Sequence, residues 1–200
     1  MPTPIDFYFD FSSPYGYLAS HKIDALAAKH GREVNWHPYL LGAAMKVTGQ
    51  QPLPFIPLKG DYAKRDFLRS ARFHGVAYRQ PTTFPIASVA PTRAFYWLNA
   101  KDPKRAKELA KALYAAYFLE DVDTSNAENT IAVAAKIGLS ADEVRAALND
   151  QAVKDRTKAE VDKAIAIGAF GSPYIVVDGE PFWGVDRFDQ IEKWLATGGF

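Results

Sequence analysis

The sequence predicts an α/β fold in which a small sheet is interrupted by a large all-helical insertion. Three observations predict it. A short aromatic and apolar run, "IDFYFDF" at residues 5–11, is followed at once by the Ser-Pro signal of a helix start. The middle of the chain carries apolar side chains at helical spacing over several successive segments. After Gly168 a β-branched run, an Asp-Gly turn and a second short run read as a hairpin.

Each element has its own justification. Ile5 to Phe11 is a short bounded run of strand-forming residues, which suits a buried strand. Pro14 fits the first turn of a helix, where its missing N–H is no loss, and Ser13 stands in the capping place before it. Leu18, Ile23, Leu26 and Ala27 supply one apolar stripe for a helix that Gly31 ends. "EVNWHPYLL" at residues 33–41 is a second strand, so the chain opens as the strand–helix–strand unit that builds a parallel pair. From Gly42 to Leu58 the pattern loosens into a connecting segment rich in proline and glutamine. Helical segments follow at residues 61–75, 87–100, 103–120, 126–138, 140–150 and 154–168, with Ser, Asp or Pro near their starts. "PYIVVDGEPFWG" at residues 173–184 reads as the hairpin, and "DRFDQIEKWL" closes the chain as a helix with Phe188, Ile191 and Leu195 on one face. This order is that of a thioredoxin-like core, residues 1–41 and 169–200, split by residues 42–168, a linker plus an inserted helical domain.

Composition narrows the function. At 200 residues with 48% apolar side chains the chain buries a core and is not disordered. Its 24 basic and 23 acidic residues leave a net charge of +1, with no basic face suited to nucleic acid. The N-terminal stretch lacks a basic region, and no long apolar run suggests a membrane span, so the expectation is a cytoplasmic protein. Cysteine is absent, which excludes disulfides, thiolate metal sites and any thiol nucleophile of the protein's own. His21, His30, His37 and His74 are scattered without metal-ligand spacing, so no metal is expected and they read as surface or capping residues. No phosphate loop or nucleophile elbow occurs. Tyr17, Phe84, Tyr96 and Trp97 read as core aromatics.

"FDFSSPYGYLA" at residues 9–19 and "GAFGSPYIVVDGEPFWGVDR" at residues 168–187, with the helical block between them, resemble the DsbA-like superfamily over essentially the whole chain. Within it they are similar to the kappa-class glutathione transferases and the 2-hydroxychromene-2-carboxylate isomerases. Thiol-oxidising members of the superfamily carry Cys-Pro-x-Cys where this sequence reads Ser13-Pro14-Tyr15-Gly16, so dithiol exchange cannot occur there. By residue type a Ser-Pro pair is a helix cap. The resemblance adds a second role for Ser13, the catalytic donor of a hydrogen bond to the thiolate of bound glutathione, at a helix start whose dipole also favours an anion.

The same resemblance implies the remaining ligand contacts. Ser172-Pro173 is expected to be a cis bond, with the Ser172 backbone pairing the cysteinyl segment of glutathione as an added strand. Val185 and Asp186 match the pair that holds the γ-glutamyl end. The segment "GQQPLPFIPLKGDY" at residues 49–62 resembles one that closes over glutathione, with Lys59 for the glycine carboxylate and Gln50 where relatives often carry asparagine. Arg93 could meet a substrate carboxylate from the insertion side. The chain length and the forms "YFDFxSPYxYLA" and "WGxDR" are closer to the isomerases than to the longer transferases. The resemblance therefore implies a glutathione-dependent cis-trans isomerase acting on a small aromatic keto acid in naphthalene-type catabolism, as a homodimer. A kappa-type transferase, a non-catalytic peptide or glutathione binder and, least suited, a disulfide oxidoreductase are the alternatives.

Overall fold

The first strand, β1 (Ile5–Phe9), organises everything around it. The computed structural model describes residues 3–200, and in it β1 runs parallel to β2 (Val34–Pro38) and antiparallel to β3 (Tyr174–Val177). A final strand, β4 (Glu180–Trp183), pairs with β3, giving the sheet order β2-β1-β3-β4. The two-residue alternation of a strand puts Ile5, Phe7 and Phe9 on one face, all three fully buried. Each such side chain contributes about 1.5–3 kcal/mol by leaving water. Tyr8 and Asp6 point to the other face.

The strand-to-strand connection is two helices, α1 (Pro14–Ser20) and α2 (Ile23–Lys29), where the sequence reads as one. The reason is local. The Ser20 hydroxyl donates to the Tyr17 carbonyl at 2.6 Å, and the His21 and Lys22 amides reach back three residues, to Leu18 and Ala19, instead of four. A second difference is that the second strand stops at Pro38 instead of Leu41, and Leu41 together with the start of the expected loose segment forms the helix α3 (Leu41–Thr48). No residue beside it caps it. Its first amide, on Leu41, is capped at 2.7 Å by the carboxylate of Asp10, thirty-one residues away.

The insertion comprises α4 (Lys59–His74), α5 (Val89–Asn99), α6 (Pro103–Phe118), α7 (Ala127–Lys136), α8 (Ala141–Asn149) and α9 (Gln151–Ala166), one for each helical segment of the sequence. Asp102, Asn126, Ser140 and Asp150 cap α6 to α9 through their side chains. Helices α5 and α6 lie against the Phe7 and Phe9 face, with Phe95 and Tyr114 in edge or tilted contact with Phe9. Tyr17 and Tyr96 are core aromatics as expected, and Phe84 and Trp97 pack against that core partly buried. On the opposite face Val161 and Ala164 of α9 and Ala44 of α3 cover Tyr8 and Tyr174. The last helix, α10 (Phe188–Thr197), follows β4 through a short 3-10 turn at Val185–Arg187. Among the described residues no helix is long and apolar enough to cross a membrane.

Candidate active site

The site is built where β1 ends. Asp10 leaves the strand and turns the chain, its carboxylate accepting the Ser12 amide at 2.7 Å while its carbonyl accepts the Ser13 amide at 2.9 Å. This turn delivers Ser13 in extended geometry to the start of α1, where its hydroxyl oxygen accepts the Gly16 amide at 3.0 Å. The capping role is therefore real. The hydroxyl proton is also used, because Ser13 Oγ donates to the Ser172 carbonyl at 2.9 Å, across 159 residues of chain.

Ser172 faces Ser13 from the loop that enters β3. The Ser172–Pro173 peptide is cis, as expected, and Tyr39 holds the preceding Gly171 carbonyl at 2.7 Å. The Ser172 hydroxyl accepts the Asp10 amide at 2.9 Å, so the two loops are joined by reciprocal bonds. Asp10 is fully enclosed. Burial raises its carboxyl above the usual range, against the opposing pull of the Ser12 and Leu41 amides.

Contact between the loops also explains Gly16. A Cβ there would lie 2.6 Å from the Ser172 hydroxyl and 2.9 Å from that of Tyr114. Gly16→Ala is therefore expected to destabilise the protein by about 1–3 kcal/mol through overpacking, measured by urea unfolding. An alanine that left stability unchanged would show that the two loops separate freely.

Outside this buried core opens a cleft of about 980 Å³ between α4 and the start of α10. Ser172, Val185 and Asp186 line it, and Ser13 lies just beneath Ser172. Val185 is buried, whereas Asp186 is exposed with Arg187 3.7 Å away. Gly184, with φ at 110°, bonds its amide to the Pro173 carbonyl at 3.1 Å and so fixes this corner to the Ser172 loop. Gln50 and Lys59 are exposed and stand outside the lining. Lys59 is the first residue of α4, three residues before Tyr62, where the part of that helix lining the cleft begins.

Arg93 is elsewhere. It lines a separate cavity of about 250 Å³ with residues of α5, α7 and α8, and its Nη1 donates to the Leu148 carbonyl at 3.2 Å. The structure does not bring it to Ser13, because the face of α5 that carries it packs against the other insertion helices.

Cleft residues that sequence reasoning missed come from α4 and from both ends of α1. Tyr15 donates to Asp66, which also pairs with Arg69. Burial and this bond to Asp66 push the Tyr15 hydroxyl far up. Burial acts against Asp66, yet its bonds to Tyr15 and Arg69 hold its carboxyl low. His74, read as a surface or capping residue, lines the cleft beside Lys22. The only signal was the spacing of Tyr62, Asp66, Arg69 and Phe73 along one face of α4, which reads equally as a solvated helix.

The model of the DSBA-like thioredoxin domain matches residues 4–196. The chain belongs to this family. Among its DSBA-like relatives, 2-hydroxychromene-2-carboxylate isomerase from Sphingobium xenophagum is 28% identical over 197 residues, covering 98% of this chain and 99% of the relative. Glutathione S-transferase kappa 1 from Homo sapiens is 26% identical over 217 residues, covering 98% and 94%. A solved structure of 2-hydroxychromene-2-carboxylate isomerase superposes with a TM-score of 0.86 at 25% identity, covering 96% of this chain and 94% of that one. The DsbA-like thioredoxin fold with its helical insertion is thus the fold of this chain, and full-length similarity to isomerases and transferases makes it an enzyme of that group.

Proposed function

We propose that this DSBA-like protein is a glutathione-dependent isomerase interconverting 2-hydroxychromene-2-carboxylate and trans-o-hydroxybenzylidenepyruvate in naphthalene-type catabolism. The observation that carries the reading is the Ser13 hydroxyl, polarised by the Gly16 amide and set against the Ser172 carbonyl, in a chain that has no cysteine. A thiol for this site has to come from outside.

The residues present fit glutathione. Among the described residues no backbone acceptor pairs with the amides of Ser172, Val185 or Asp186, so the cleft presents unspent donors beside the exposed Asp186 carboxylate. Ser172 would pair the cysteinyl backbone, with Pro173 fixing the loop. Val185 and Asp186 would take the γ-glutamyl carboxylate and ammonium, and Lys59 and Gln50, outside the cleft lining, would have to reach the glycyl end from the segment that leads into α4. When bound, glutathione would supply a thiolate able to add reversibly to the unsaturated keto acid that ring opening of the chromene generates, so that the former double bond could rotate and elimination of the thiolate would restore it in the trans form.

Ser13 performs the protein's part. Its O–H now donates to the Ser172 carbonyl, and an incoming peptide N–H would offer that carbonyl a replacement donor. Rotation about the Cβ–Oγ bond then turns the hydroxyl toward the sulfur while Gly16 keeps its bond to the oxygen. The donor is strengthened because its oxygen already accepts a hydrogen bond. Homodimer formation and a cytoplasmic location belong to the same reading, and Val47, Phe55 and Leu58 are exposed apolar side chains that a second copy could cover.

The test is the ultraviolet progress curve of 2-hydroxychromene-2-carboxylate with the protein, with and without glutathione. Conversion that needs glutathione without consuming it is expected. Stoichiometric consumption of glutathione would favour the second reading, a kappa-type transferase, which the similarity to human kappa 1 supports almost equally. Conversion at the same rate without glutathione would overturn both.

A further inference from the structure

We propose that Lys22, held by His74 over the Phe188 ring, is a carboxylate-binding subsite of the cleft. The proposal rests on the reading of the cleft as the ligand site, and it supplies the cation that Arg93 does not bring there.

Lys22 stands at the junction of α1 and α2, at the opposite end of α1 from Ser13. Its Nζ lies 3.1 Å from His74 Nδ1 and 5.7 Å from the centre of the Phe188 ring. Three cations of the cleft can be compared. Arg69 is taken up by Asp66, and Arg187 has Asp186 beside it at 3.7 Å. Among the described residues no carboxylate lies within ion-pair distance of Lys22, and its neighbours are a ring nitrogen and an aromatic face.

His74 keeps the charge available. Burial, and next the Lys22 charge itself, hold its ring below the usual histidine range, while Asp189 and Asp186 oppose them. A neutral ring accepts an N–H from Lys22 through Nδ1 and orients the ammonium without neutralising it. The result is an oriented, partly sheltered ammonium at the edge of an aromatic-walled cleft, which suits a carboxylate on a flexible or aromatic ligand. Two ligands of the proposed reaction carry carboxylates: glutathione, at its γ-glutamyl and glycyl ends, and the aromatic keto acid.

The experiment uses the full chain with Lys22→Met, which keeps the stem, and Lys22→Arg, which keeps the charge. Calorimetric titration with glutathione and separately with trans-o-hydroxybenzylidenepyruvate gives each Kd. A roughly tenfold weakening for glutathione alone in Lys22→Met, restored in Lys22→Arg, assigns the subsite to a carboxylate of glutathione. The same weakening for the keto acid alone assigns it to the acceptor. Unchanged binding of both ligands overturns the proposal. Should the wild-type protein bind no glutathione, the proposed function fails and the subsite is judged on the keto acid alone. Proton NMR of His74 gives an independent readout, because a carboxylate on Lys22 raises the histidine pKa in the wild-type protein and leaves it unmoved in Lys22→Met.

Discussion

If the proposed function holds, replacing Ser13 by alanine is expected to lower the glutathione-dependent rate by about 10- to 100-fold while the protein stays folded. The magnitude follows from the worth of a hydrogen bond to a charged group, about 1.5–3 kcal/mol, at about 1.4 kcal/mol per factor of ten. The same loss raises the pKa of the bound thiol by about one to two units, read from thiolate absorbance as a function of pH. Loss of the cap adds about 1 kcal/mol of destabilisation, which urea unfolding separates from the catalytic effect. Ser13→Thr retains a donor and recovers much of the rate. An alanine variant with an unshifted thiol pKa and full activity would reduce Ser13 to the helix cap that its bond to Gly16 already makes it.

The second large effect is on stability. Asp10→Ala strips the Ser12 and Leu41 amides of their acceptor and is expected to destabilise the protein by about 2–4 kcal/mol, since each unsatisfied group costs about 1–3 kcal/mol. The loss depends on pH with a definite sign. Because burial raises the folded carboxyl above its unfolded value, the folded state binds the Asp10 proton more tightly. Its contribution is therefore greatest below the ordinary aspartate range and declines as pH rises through the raised folded pKa. The gap between wild type and Asp10→Ala should be widest at acid pH, below the ordinary aspartate range, and narrow as pH rises, measured by urea midpoints from acid to neutral pH. A gap that widened with pH would mean that the carboxylate form is the stabilised one. Hydrogen exchange at α3 tests the same bond, since Asp10 caps that helix from outside it.

Much of this was legible because its causes are local. The Ser13-Pro14 start, the Asp178-Gly179 turn and the apolar stripes of the six insertion helices each act within a few residues. The cis bond before Pro173 was foreseen from the resemblance of its motif, and the structure contains it. Helix α3 was missed because its cap arrives from Asp10, and the break between α1 and α2 because Ser20 competes for a carbonyl inside a run that otherwise reads as one helix. The cleft residues of α4 were illegible for a different reason. A charged stripe looks the same whether it meets solvent or a cavity until the opposite wall is placed.

The sequence by itself determined the element order, the absence of protein sulfur and the hydroxyl at the head of α1, since these depend on residue identity and near neighbours. Only the tertiary structure decided which groups meet that hydroxyl. Ser172 comes to Ser13 across 159 residues, Lys22 and His74 meet across 52, and Arg93 is carried away by the packing of α5. Such meetings are set by how sheet and helices bury their apolar faces against one another, and that burial is shared by the whole chain.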